Sequence, residues 1–176
     1  MQHILAICGS NSRDSINRQL TKYCLQHLDG HSSRYLELMD FDLPLYSIDL
    51  EGASWPDNLK DLLEEIKNCD ALIIAANEHN GSISAFFKNI LDWLSRIEYK
   101  FLEEKKVFVL TTSPGKRGGQ NAQDYLQEVL PRYGAEVYES FAFPEFNKNF
   151  VDAEITDTSL KNKVHGVLNR FTKALS

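Results

Sequence analysis

The sequence predicts an α/β fold: a five-stranded parallel sheet with helices packed on both faces, three layers in all. Three observations carry the prediction. Five short apolar runs alternate with stretches whose apolar residues recur at helical spacing. The strongest runs are continuously apolar rather than alternating, as strands covered on both sides require. The segments between them are long enough for the crossover that parallel neighbours need.

In chain order, residues 3–8 (Ile4, Leu5, Ala6, Ile7, Cys8) read as the first strand. Residues 16–28 follow as a helix with Ile16, Leu20, Tyr23, Cys24 and Leu28 on one face, ended by Gly30. A weaker strand is expected at 33–38, then a turn-rich stretch at 40–45. Pro56 and Asp57 open a helix that buries Leu59, Leu62, Leu63 and Ile66. The strongest strand is 71–76, followed by a polar loop at 77–82 and a helix at 85–97. A buried strand at 107–112 leads into a glycine-rich loop at 113–119 and a helix at 121–133, ended near Gly134. The last strand is expected at 136–142 and the closing helix at 160–175. No repeat or low-complexity linker interrupts this alternation, so residues 1–176 are expected to form one domain.

Composition excludes several classes. A formal net charge of −6 with no basic cluster argues against a nucleic-acid partner. No apolar stretch approaches the roughly 18 residues that span a bilayer, and the N-terminal run reads as a strand rather than a leader. Cys8, Cys24 and Cys69 are odd in number and lie in apolar surroundings, which suits free thiols in a reducing cytoplasm, the expected location. His27 and His31 stand four apart, but Gly30 interrupts the helix and no third ligand is near, so no metal is expected.

The loop between the first strand and first helix reads Gly9-Ser10-Asn11-Ser12-Arg13-Asp14-Ser15-Ile16-Asn17. A helix N-terminus offers unpaired N–H groups and the positive end of the helix dipole. Ser10, Ser12 and Ser15 add hydroxyl donors and Arg13 a positive charge, the requirements of a phosphate site. Ser12 and Ser15 are also ordinary helix caps. Two sheet orders fit the alternation: the flavodoxin-like 2-1-3-4-5 and a truncated dinucleotide-binding half. A dinucleotide loop wants G-x-G-x-x-G, and here Gly9 stands alone. The loop therefore favours a mononucleotide phosphate and the flavodoxin-like three-layer sandwich. In that order the loops after the first, third and fourth strands meet at the switch point where doubly wound sheets bind ligands.

Together, three motifs carry a resemblance: Gly9-Ser10-x-x-x-x-Ser15-x-Asn17, then Glu78-x-Asn80-Gly81-Ser82 with Lys88-Asn89-x-x-Asp92-Trp93, then Ser113-Pro114-Gly115-x-x-Gly118-Gly119. In order and spacing they resemble the NADPH-dependent FMN reductase family, which includes quinone-, azo-dye- and chromate-reducing members. The resemblance implies a flavodoxin-like fold, bound FMN, NADPH or NADH as co-substrate, and a homodimer or homotetramer. It implies ping-pong transfer of a hydride from NAD(P)H to FMN N5 and on to a small acceptor such as a quinone or azo compound. Carried over, Ser10, Ser12, Arg13, Ser15 and Asn17 would hold the phosphate. Asn77, Glu78, His79, Asn80 and Gly81 would run along one edge of the flavin ring, with Ser113, Pro114, Gly115 and Gly118 along the other.

The chain departs from the family's usual Pro-Glu-Tyr-Asn-Gly-Ser-x-Pro-Gly, reading Asn77-Glu78-His79-Asn80-Gly81-Ser82-Ile83-Ser84-Ala85. His79 replaces a tyrosine and is the candidate catalytic residue, by stacking or proton donation to the acceptor. Asp14, awkward beside a phosphate, is expected to face solvent. Asp92 and Trp93 are read as a helix-surface charge and a core aromatic. Lys116 and Arg117 are weighed as contacts for a 2′-phosphate or as solvated loop charges. Two other classes fit the fold: an electron carrier of flavodoxin type serving a protein partner, and a non-catalytic binding domain.

Overall fold

A computed structural model describes residues 1–51 and 55–176. The chain runs β1 (His3–Cys8), α1 (Ile16–Gln26), β2 (Ser32–Leu36), α2 (Ile48–Glu51), α3 (Asp57–Lys67), β3 (Ala71–Ala76), β4 (Glu78–His79), β5 (Ser82–Ile83) and α4 (Ala85–Ile97). It continues through β6 (Lys106–Thr112), α5 (Gln120–Val129), β7 (Glu136–Phe143), α6 (Phe146–Asn149), β8 (Phe150–Val151), β9 (Glu154–Ile155) and α7 (Thr158–Ala174). The five long strands form one parallel sheet in the order β2-β1-β3-β6-β7, the flavodoxin-like arrangement expected.

Strand pleating divides the apolar residues between two cores. Leu5, Ile7, Leu72, Ile74, Val107 and Val109 pack on α3, α4 and α5, with the fully buried Phe87 and Trp93 among them. Ile4, Ala6, Ile73, Phe108 and Leu110 face α1 and α7, against Tyr23, Leu168 and Phe171. Trp93 donates Nε1–H to Pro44 O at 2.7 Å, while Asp92 pairs with Lys88 on the surface, so both have the structural roles expected of them.

Several boundaries differ from the expectation, each for a local reason. The 33–38 strand runs instead as Ser32–Leu36, because Leu38 already begins a 3-10 turn at Leu38–Asp40. The helix expected over 121–133 leaves α geometry at Val129; Pro131 has no N–H to continue it, and Leu130–Tyr133 is 3-10. The closing helix starts at Thr158, earlier than expected, because Asp157 Oδ1 accepts from Leu160 N at 2.8 Å and caps it. The 77–82 segment is more than a loop: β4 and β5 pair Glu78 with Ile83 and His79 with Ser82. Asn80 and Gly81 turn it with φ of 51° and 79°, the two positive values of a type I′ hairpin. The α6 turn and the β8–β9 hairpin were not foreseen at all.

Candidate functional site

The segments after β1, β3 and β6 meet at the carboxyl edge of the sheet around a cleft of about 260 Å³. Of the residues singled out from sequence, Ser10, Ser12, Ser15, Asn17, Asn77, Glu78, His79, Ser113 and Pro114 line it. Arg13, Asn80, Gly81, Gly115 and Gly118 stand outside that wall, and Asp14, though exposed, lies on it. A larger open groove of about 800 Å³ runs between β7 and α7, away from all three loops.

The first loop is built around Ser15 and Ser10. Ser15 caps α1, its Oγ accepting from Arg18 N at 3.3 Å, and Ser10 Oγ accepts from Ser12 N at 3.3 Å. The first-turn N–H groups of Ile16 and Asn17 have no partner among the described residues. Gly9 is fixed on both sides: its N–H donates to Ala75 O at 2.8 Å, and its carbonyl accepts from Ser84 Oγ at 2.6 Å. Ser84 also caps α4, so one hydroxyl joins the first loop to the helix after the second. Cys8 lies beneath the loop with its thiol pushed up by burial, so it is no thiolate nucleophile.

Glu78 joins the second loop to the third. Its Oε2 accepts from Asn121 N at 2.9 Å, and its Oε1 from Asn121 Nδ2 at 3.0 Å, at the N-terminus of α5. Asn17 joins the first loop to the third: Thr112 N donates to its Oδ1 at 2.8 Å, and its Nδ2 donates to Thr112 O at 3.1 Å. The third loop is held from below by the unforeseen segment after β7. Glu145 N donates to Gly115 O at 2.9 Å and Phe146 N to Ser113 O at 3.1 Å. Gly118, at φ 61°, comes so close to β7 that a Cβ there would lie 2.7 Å from Phe143 C and O. Arg117 Nη2 donates to Asn121 Oδ1 at 2.8 Å, which ties that loop cation to α5.

Asn77 Nδ2 and His79 Nε2 are 3.0 Å apart. An amide nitrogen only donates, so this contact sets the Asn77 amide as donor and the His79 ring nitrogen as acceptor. Asn77 Oδ1 is buried with no partner among the described residues. A buried acceptor left unmet costs about 1–3 kcal/mol, and a ligand donor in the cleft would satisfy it. Three hydroxyls and a helix N-terminus at one end, with an unmet amide oxygen at the other, fit a phosphorylated ligand that also carries donor groups. The residues therefore fit FMN.

One residue at this site escaped the sequence reading. Arg18 is 7% exposed and holds the first loop from within, donating to Ser12 O and Arg13 O. Burial works against its charge, but the Tyr35 hydroxyl and Glu37 carboxylate outweigh it and raise its pKa above the usual value. Arg18 stands in the first turn of α1, off the face that Leu20, Tyr23 and Cys24 share, so helical periodicity carries no signal for its burial.

Comparison with known proteins is consistent with this geometry. The chain is 30% identical to the quinone reductase of Escherichia coli (strain K12) over 136 residues, 77% of this chain and 71% of that protein. It is 32% identical over 138 residues to an uncharacterised protein of Mycoplasma pneumoniae, covering 76% of this chain and 81% of the other. Among solved structures, FerB, the flavoenzyme NAD(P)H:(acceptor) oxidoreductase from Paracoccus denitrificans, superposes with a TM-score of 0.81 at 25% identity, covering 98% of this chain and 96% of the other. Residues 2–148, which span the sheet and all three loops, match the NADPH-dependent FMN reductases, and the chain belongs to that family.

Proposed function

We propose that this protein is an FMN-dependent NAD(P)H oxidoreductase that reduces a small planar acceptor of the quinone or azo type. The observation that carries the reading is the convergence of the three loops on one cleft at the switch point between β1 and β3. Ser10, Ser12 and Ser15, with the free N–H groups of Ile16 and Asn17, take the FMN phosphate. Arg13, exposed beside them, adds charge at longer range. Asn77, Glu78, His79, Asn80 and Gly81 flank one edge of the ring, with Asn77 Oδ1 as an acceptor for a ligand donor. Ser113, Pro114, Gly115 and Gly118 flank the other. The bound cofactor supplies the hydride-accepting and hydride-donating chemistry, and the protein supplies position and electrostatics. His79, on the cleft wall, offers a flat ring to the acceptor, by which it stacks or hydrogen-bonds to it.

Residues 1–176 act as one FMN-binding domain in this reading. The net charge of −6 gives no support to a nucleic-acid partner, and no described helix is long and apolar enough to cross a membrane. Three free, buried cysteines suit the cytoplasm. The assembly is a homodimer or homotetramer: Leu45 and Ile48 are 80% and 76% exposed beside α4, apolar surface that a second copy would cover. Sedimentation velocity is expected to show no monomer at micromolar concentration; a monomer removes the assembly from the proposal.

Reconstitution tests the function. The purified chain mixed with FMN is expected to retain yellow colour through desalting, and anaerobic NADPH or NADH is expected to bleach it within seconds. Added quinone then restores the colour. A protein that takes up no FMN is a binding domain of another kind, and one that binds FMN without bleaching is an electron carrier; either result sinks the proposal.

A further inference from the structure

The phosphate side of the cleft has hydroxyls and N–H groups on its wall but no cation, and Asp14 places a carboxylate there. The nearest buried positive charge is one layer deeper. The Arg18 guanidinium donates from Nη1 to Ser12 O at 2.8 Å and to Arg13 O at 2.6 Å. Its Nε donates to Tyr35 Oη at 3.2 Å, and Glu37 closes the other side, with Oε1 3.2 Å from Nη2 and Oε2 3.0 Å from Nε. Met39 Sδ, in the turn after β2, lies 4.0 Å from Nη2 on the same side.

In a trans peptide the N–H points opposite to the carbonyl. Drawing the carbonyls of Ser12 and Arg13 toward Arg18 turns the N–H groups of Arg13 and Asp14 the other way. Neither has a partner among the described residues, and both precede the free N–H groups of Ile16 and Asn17. Successive outward N–H groups of this kind form an anion-binding concavity. A loop carrying only one glycine would otherwise be free to present carbonyl oxygens, which repel a phosphate.

We propose that Arg18 is the positioning residue of the phosphate site, pinning two carbonyls inward so that the loop presents N–H groups to a phosphate monoester and backing them with a buried positive charge. This rests on the reading of the cleft as an FMN site. Lysine is not equivalent, because a single ammonium cannot span both carbonyls and Tyr35 in the planar geometry of a guanidinium. Glu37 offsets part of the charge and sets its strength.

Comparing FMN with riboflavin, which lacks only the phosphate, tests the proposal, with both affinities measured on the full chain by quenching of flavin fluorescence. Arg18→Gln is expected to weaken FMN about tenfold or more while changing riboflavin by less than about twofold. Arg18→Lys falls between. Glu37→Gln keeps the guanidinium on the loop without its counter-charge, and is expected to tighten FMN a fewfold (about three) with riboflavin unmoved. A merely structural arginine predicts equal losses for both flavins in Arg18→Gln and no change of their ratio in Glu37→Gln; either result overturns the proposal. Should Arg18→Gln not fold, the Glu37→Gln ratio decides alone. Failure of the underlying reading looks different: the wild-type chain would bind neither flavin, or both equally well.

Discussion

Alanine at Gly9 is expected to destabilise the protein by about 3 kcal/mol, near the top of the range for overpacking a core. A Cβ at that position would lie 2.3 Å from Phe87 Cγ and 2.6 Å from its Cβ and Cδ1. Neither side can give way. The Gly9 backbone is tied to Ala75 O and to Ser84 Oγ, and Phe87 is fully buried on α4 among Leu and Ile side chains. Because Gly9 precedes Ser10 on the cleft wall, a partial shift would also move Ser10 and is expected to weaken FMN binding. Urea denaturation checks the first effect and flavin titration the second; an unchanged midpoint would show that the α4 packing has room the structure does not reveal.

The second large effect is expected at Asn17. The side chain is 1% exposed and both ends of its amide are engaged by the Thr112 backbone. Asn17→Ala leaves the N–H and C=O of Thr112 buried and unpaired, a cost of about 2–6 kcal/mol if each group loses about 1–3. Asn17→Asp keeps the acceptor for Thr112 N and loses the donor to Thr112 O, so it is expected to cost less by denaturation. Asn17→Ala releases the third loop from the first and Asn17→Asp loosens it, so both should bind FMN more weakly, the alanine variant more so. Wild-type stability in Asn17→Ala would refute the bracing role.

These two residues show how far the sequence could be read. The sequence places Gly9 in a ligand loop, but the reason glycine is required there is a phenylalanine far along the chain. Asn17 was assigned to the phosphate; it does line the cleft, yet its amide braces β6. Glu78 was placed along a ring edge, and its carboxylate caps α5. In each case the residue belongs to the candidate site, while its partner lies 43 or more positions away, where no local pattern points. The hairpin turn at Asn80-Gly81 was legible as a turn from the pair itself. The α6 turn and β8–β9 hairpin were not, because segments so short carry too little periodicity to separate from loop.

The order of the five long strands and the helices between them, and their parallel pairing, are legible in the sequence alone, because burial on one or both faces imposes a period that local residues must satisfy; the 2-1-3-4-5 arrangement rests on the first loop rather than on periodicity. The sequence alone also excludes the dinucleotide pattern from the first loop, since Gly9 stands there without the other glycines. Tertiary structure decided which donors face the cleft. It turned Asp14 onto the wall, left Arg13 outside it and put Arg18 behind the loop, held by Tyr35 of the neighbouring strand and by Glu37 just after it. The physical reason is that a peptide group's orientation depends on what holds its carbonyl, and here the holder is fixed by packing rather than by sequence neighbours.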